Sequence, residues 1–174
     1  TETWNGTNWT EVNDMNTNRD RLGGAGIQTA ALGFGGGTPS ATKATESWNG
    51  TNWTATSDLN STVKDGTGVG ATNTAALSFG GPSTTVEKFG SGPIANTWQT
   101  SGALGTARYQ LSSATNAPQS AALGFGGYTG TAYTGNTESY NGSTWTELND
   151  LQVAKAFSGG AGIQTAALMF GGYA

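Results

Sequence analysis

Paired carboxylates are the one catalytic device left to this chain, because its 174 residues include neither histidine nor cysteine. That absence removes the commonest metal ligands, nucleophile–base pairs and proton shuttles. No acidic loop has the alternating Asp spacing of a calcium site, so neither metal nor cofactor is expected. Two carboxylates flanking a sugar bond would suffice for glycoside hydrolysis. The candidates, however, recur in step. Glu2, Glu46, Glu87 and Glu138 each stand two residues before an aromatic, and Asp14, Asp58 and Asp150 share a second recurring place. A residue present in every repeat usually answers a structural need, such as a hydrogen bond to a neighbouring unit. The expectation is a non-enzymatic protein, with a carboxylate glycosidase as the distant alternative.

The basic and tyrosine side chains offer binding chemistry instead. Arg19, Lys64, Arg108 and Lys155 each follow a Leu or Met by four or five positions. In a four-fold arrangement they would ring one mouth of a central channel, with Arg21 beside them and Asp20 and Asp65 tuning the charge. Such a ring suits an anion: a sialic, uronic or phosphorylated sugar. Equally, each cation can pair with a Glu or Asp of its own or the next unit. Tyr109, Tyr128, Tyr133 and Tyr173 fall near the same connections; they read as stacking and hydrogen-bonding groups for sugar, or as gap-filling surface residues. A net charge of −4 disfavours nucleic acid.

A repeat must position these groups. Residues 25–36 (AGIQTAALGFGG) return at 161–172 as AGIQTAALMFGG, and Phe-Gly-Gly begins at 34, 79, 125 and 170. A fixed period of this size marks a repeat architecture. Within residues 19–57, a Gly/Ala-rich segment (22–27, strand A) precedes an alternating apolar one (29–34, strand B). Segments 44–48 (strand C) and 51–56 (strand D) then flank Asn49-Gly50, a strong hairpin signal. Four short strands per unit predict a propeller blade. Small residues suit strand A at the crowded centre. The aromatic pairs Trp4/Trp9, Trp48/Trp53, Phe89/Trp98 and Tyr140/Trp145 are expected to be core between blades, each side chain worth about 2–3 kcal/mol when buried. Asn-x-Ser/Thr sequons at Asn5, Asn8, Asn49, Asn52, Asn60 and Asn141 read as turn chemistry.

The chain opens with strands C and D (1–12) and closes with A and B (154–172), so its ends can complete a shared blade and cover exposed edges. The reading is all-β: one domain over residues 1–174, a small propeller of about four four-stranded blades. Its ring is closed by pairing of the N- and C-terminal strands; an eight-bladed ring from two chains is the less economical form. Strand B to C is crossed by long segments at 37–44 and 128–136 and by short ones elsewhere. The B–C and D–A connections share one face of a propeller, and insertions confined to one face commonly mark the binding face.

The order apolar hairpin, Gly-Gly, Glu-x-aromatic, turn, Trp, Leu and a basic residue resembles the kelch repeat. It stands as residues 32–36, Glu46, Trp48, Trp53, Thr54, Leu59 and Lys64. The resemblance covers the whole chain and is weakest at 82–103, where 90–96 replaces the Asn-Gly turn. Kelch repeats run nearer 50 residues, in rings that usually have more blades. The wording of residues 45–54 (TESWNGTNWT) is also similar to kelch-like structural and tail proteins of marine bacteriophages. The first resemblance implies protein binding; the second implies a place on the virion or contact with the host surface. Kelch copper-radical enzymes need His ligands that this chain lacks. The leading expectation is a binding propeller on a phage particle or cell exterior, recognising host-surface carbohydrate through one loop face. The alternative is a virion structural or decoration protein contacting another virion protein, and oligomerisation within a larger particle fits either. No apolar run approaches the roughly 20 residues that span a bilayer, so no membrane insertion is expected. No signal peptide is legible, and the start at Thr1 suggests a processed product or part of something longer.

Overall fold

The computed structural model describes residues 1–37, 39–90, 92 and 94–174. Thr38 of the 37–44 crossing and Ser91 and Pro93 of the 90–96 turn lie outside the described residues. The chain is all-β and antiparallel: β1 (Glu2–Trp4), β2 (Trp9–Glu11), β3 (Gly23–Ile27), β4 (Ala30–Phe34), β5 (Thr45–Trp48), β6 (Trp53–Ala55), β7 (Gly66–Thr72), β8 (Ala75–Gly80), β9 (Val86–Phe89), β10 (Trp98–Ser101), β11 (Ser112–Ser113), β12 (Leu123–Phe125), β13 (Thr137–Tyr140), β14 (Trp145–Glu147), β15 (Ala156–Ile163) and β16 (Ala166–Tyr173). They form three four-stranded meanders, β3–β6, β7–β10 and β11–β14, flanked by the two-stranded sheets β1–β2 and β15–β16. Each complete repeat is therefore one sheet. Among the described residues no helix is long and apolar enough to cross a membrane.

The outer hairpins are held by asparagine. Asn49 Oδ1 accepts the amides of Thr51 (2.9 Å) and Asn52 (2.8 Å), and Asn141 Oδ1 accepts those of Ser143 (3.0 Å) and Thr144 (2.9 Å). Gly50 and Gly142 sit at φ 92° and 96°, a region that glycine enters without a Cβ penalty. These turns set Trp48 opposite Trp53 and Tyr140 opposite Trp145, with ring centroids 5.4 and 5.1 Å apart. The aromatic of the fourth strand also reaches back to the preceding sheet: Trp98 packs on Phe34 at 5.0 Å and Trp145 on Phe79 at 4.9 Å. These contacts build the cores between sheets.

The first strands of successive sheets are the closest neighbours, β3 beside β7, β7 beside β11 and β11 beside β15. A Cβ on Gly68 would stand 2.4 Å from Phe34 Cζ and 2.7 Å from the Gly24 carbonyl, so the inner strands require small residues. A side-chain amide latches every junction. Gln28, Asn73, Gln119 and Gln164 donate to the carbonyls of Trp4 (2.9 Å), Trp48 (3.1 Å), Phe89 (3.2 Å) and Tyr140 (2.6 Å), each in the preceding unit.

The expected closure of the ring is not formed. β1–β2 and β15–β16 remain separate two-stranded sheets, and β15 does not pack on β3 as successive inner strands pack on one another. Each terminal hairpin is latched to its neighbouring sheet as at every other junction, but the run of sheets does not bring β15 back to β3. Trp9 is consequently 65% exposed and Phe170 54%, whereas Phe34 and Phe79, the counterparts of Phe170, are fully buried.

Candidate functional site

One end of the molecule gathers the connections that enter the first strand of each sheet and the crossings between the second and third strands. Backbone bridges tie them together: Asp20 with Gly37, Thr42 with Val63, and Tyr109 with both Tyr128 and, through it, Tyr133. Arg21, Asp65, Gln110 and Phe157 occupy equivalent positions there, all with left-handed φ between 46° and 62°. The amides of the last three donate to the carbonyl of the equivalent residue one unit back, at 3.2, 2.8 and 3.2 Å. Of the four only Asp65 is a residue type that often adopts that conformation, which is costly for Phe157 in particular.

The tyrosines of the third sheet's loop come together. Tyr109 and Tyr128 exchange backbone hydrogen bonds of 2.8 and 2.9 Å, and the Tyr128 and Tyr133 rings lie 5.6 Å apart at 57°. The Tyr128 hydroxyl donates to the Gly130 carbonyl (2.8 Å), fixing the loop, while Tyr133 is 38% exposed. Tyr173 stands apart from this cluster, at the end of β16, exposed and packed edge-on against Phe157 at 5.8 Å.

The basic residues do not form a four-fold ring. Arg19 and Arg108 are buried in ion pairs with Glu46 (2.9 Å) and Glu138 (2.7 Å), and their side chains reach no solvent. Arg19 Nη1 also donates to the carbonyls of Gly35 (3.0 Å) and Ala44 (2.5 Å). In the second sheet the equivalent position is Val63, as shared amide-to-carbonyl bonds establish: Gly36 to Val63, Gly81 to Arg108 and Gly127 to Lys155, each 2.7 Å. Lys64 is one residue further on, its Nζ donating to the Pro39 carbonyl (3.1 Å) and lying 3.6 Å from Asp20. Arg21 lies half-exposed between Asp20 (3.7 Å) and Asp65 (3.3 Å), and Lys155 Nζ reaches the Gly171 carbonyl at 3.4 Å.

The repeated glutamates are acceptors for the preceding connection. Glu46 Oε2 takes the amide of Asn16 (2.7 Å) and its Nδ2 (2.8 Å). Glu87, which has Val63 where its relatives have Arg, takes the Asn60 amide and Nδ2 and additionally the Ser61 amide (2.9 Å). Glu138 takes the Gly105 amide (2.8 Å) besides Arg108. Glu46, Glu87 and Glu138 are thus buried with donors on both carboxylate oxygens, a structural arrangement rather than a pair poised across a cleft, while Glu2 is exposed. On the surface of β14, burial pushes the Glu147 carboxyl above the usual carboxylate range, with Glu138 and Asp150 adding like-charge repulsion.

Sequence reasoning missed an apolar groove between the third sheet and the C-terminal hairpin. It has a volume of about 190 Å³ and is lined by Leu123, Phe125, Thr137, Leu151, Ala167 and Met169. No family model matches the chain, and no curated protein matches it either.

Proposed function

We propose that the sheets are blades of a kelch-like propeller, three complete within the chain and a fourth divided between its two ends. On this reading the molecule is a non-enzymatic binding module, displayed on a phage particle or cell exterior, that recognises host-surface carbohydrate. The observation carrying the proposal is the Tyr109–Tyr128–Tyr133 cluster on the loop end: two tilted aromatic rings on a braced loop, one substantially open to solvent. Tyrosine in such a setting presents a flat apolar surface to a sugar ring and a hydroxyl to its edge. With Arg19 and Arg108 committed to buried glutamates, the cations of these connections with solvent access are Arg21, Lys43, Lys64 and Lys155.

The direct test is an array of glycans and bacterial envelopes probed with the labelled chain, followed by Tyr128→Ala and Tyr133→Ala. Binding to a narrow glycan class, lost by tenfold or more in the variants at unchanged melting temperature, is the expected outcome. Undiminished binding by the double variant would remove this surface from consideration. A second reading, a structural or decoration protein of a virion, is favoured by the apolar side chains exposed at both terminal hairpins. A folded sample that binds no glycan would shift the assignment to that role.

A further inference from the structure

The groove beside the C-terminal hairpin is an unfinished copy of a core that the chain completes elsewhere. The core between the first and second sheets contains Leu32, Phe34, Leu59, Ala76, Phe89 and Trp98. By repeat position, its first four members correspond to Leu123, Phe125, Leu151 and Ala167, all of which line the groove. The two missing members correspond to Trp4 and Trp9. These are the aromatic pair of the N-terminal hairpin, 5.6 Å apart and largely exposed.

The polar groups lack the same partner. Trp98 Nε1 donates to Thr45 Oγ1 at 3.0 Å; the groove presents the equivalent Thr137 with no indole beside it. Arg19 joins the Gly35 carbonyl to Glu46, and Lys155 reaches the matching Gly171 carbonyl but finds no glutamate. The carboxylate at that repeat position is Glu2, which is exposed and, among the described residues, in no ion pair. The pairing of β4 with β5, Ala31 to Trp48 through Phe34 to Thr45, maps onto β16 and β1 as Ala167 to Trp4, Leu168 to Thr3, Met169 to Glu2 and Phe170 to Thr1.

We infer that β16 and its groove are the docking site for the β1–β2 hairpin of a second copy of this chain, giving a composite four-stranded sheet and head-to-tail association. The inference rests on reading the sheets as successive blades. A second copy is favoured over the chain's own hairpin because β15 does not pack on β3, so that the groove and the hairpin lie at the two ends of the run of sheets. The hairpin's Trp4 carbonyl is bound by Gln28, and Asn13, just after β2, donates to Thr51 (3.0 Å) and Asn52 (2.8 Å). A neighbour brings the same hairpin to the groove with those bonds intact and without any change in the run of sheets. The interface is heterologous, so repetition gives either a ring or a filament. Two chains closed this way would hold six complete sheets and two composite ones.

The test combines light scattering with cysteine cross-linking, on a chain that has no cysteine of its own. The expected result is a concentration-dependent mass of two or more chains. Trp9→Ala should raise the dissociation constant at least about 30-fold while keeping its unfolding transition, because the removed ring is an interface anchor and not part of the monomer core. Mixed Thr3→Cys and Leu168→Cys chains should form a disulfide-linked pair on oxidation. A one-chain mass at all concentrations, with the double-cysteine variant linking only to itself, would overturn the inference and leave the blade reading standing. A one-chain mass with no cross-link in any form would overturn both. Association unaffected by Trp9→Ala would remove the groove as the site.

Discussion

Glu138→Gln should unfold the protein far more readily than its conservative chemistry suggests. Arg108 has no solvent-exposed side-chain surface, Glu138 has 2%, and Arg108 Nη1 lies 2.7 Å from Glu138 Oε1. The amide keeps an acceptor for the Gly105 amide but removes the charge, leaving a guanidinium buried and uncompensated. Breaking such a pair costs about 3–5 kcal/mol. For a chain of this size each kcal/mol moves the midpoint by about 2–4 °C, so the expected fall is roughly 6–20 °C. Native stabilities are only about 5–15 kcal/mol, so the loss is a large share of the total. Lys64→Ala is the control: its ammonium faces Asp20, which is 65% exposed, across 3.6 Å, and such pairs contribute about 0–1 kcal/mol. Urea and thermal unfolding followed by circular dichroism read both. The double variant Arg108→Met/Glu138→Leu should recover part of the loss, since removing both charges avoids the orphan. If Glu138→Gln costs no more than Lys64→Ala, the pair is not a structural element. Arg108 would then return to consideration as a ligand-binding cation.

Three further outcomes follow from the same repeat logic. Trp145 Nε1 is buried without a partner, and Val86 stands where Thr45 and Thr1 supply hydroxyls to Trp98 and Trp53; Val86→Thr should cost clearly less by urea unfolding than Val69→Thr, at an equally buried position. Gly68→Ala drives a Cβ into Phe34 and the Gly24 carbonyl and should cost about 1–3 kcal/mol or more, whereas Gly24→Ala meets only the Leu32 carbonyl at 3.6 Å and should be mild, as paired melting curves would show. The raised Glu147 carboxyl means that the folded state binds its proton more tightly than the unfolded chain does. Its ionised form therefore weakens the fold above the ordinary carboxylate range, and the penalty fades as pH falls below that range. Glu147→Gln should raise the melting temperature slightly at pH ~7 and leave it unchanged at pH ~3, where both states are protonated.

What the sequence makes legible is what repetition and local chemistry control. The four strands of residues 19–57 appear within a residue or two of the observed β3–β6, because Asn-Gly turns and alternating apolar residues act over a few positions. The recurrence of Glu46, Glu87 and Glu138 reads as structural, and hydrogen bonds to the preceding connection are what they make. Lys64 is one residue out of register with the other three, and the signal that separates it is present in the spacing. Arg19, Arg108 and Lys155 follow Met15, Leu104 and Leu151 by four residues, but Lys64 follows Leu59 by five, so Val63 is the true equivalent. The compensation at Glu87, where the Ser61 amide stands in for a guanidinium, has no sequence signature, because any residue except proline supplies that amide. The left-handed backbone of Arg21, Gln110 and Phe157 is equally silent, being shared with Asp65 through bonds between sheets and not through side-chain type. Closure fails for a different reason. That β1 matches the edge of β16 is a property of residue types and can be read from the sequence. Whether the chain's own β1 reaches that edge depends on how the inner strands β3, β7, β11 and β15 stack over every junction, and that stack does not return β15 to β3. Local complementarity can be read along the chain, whereas closure is decided by geometry accumulated over every junction.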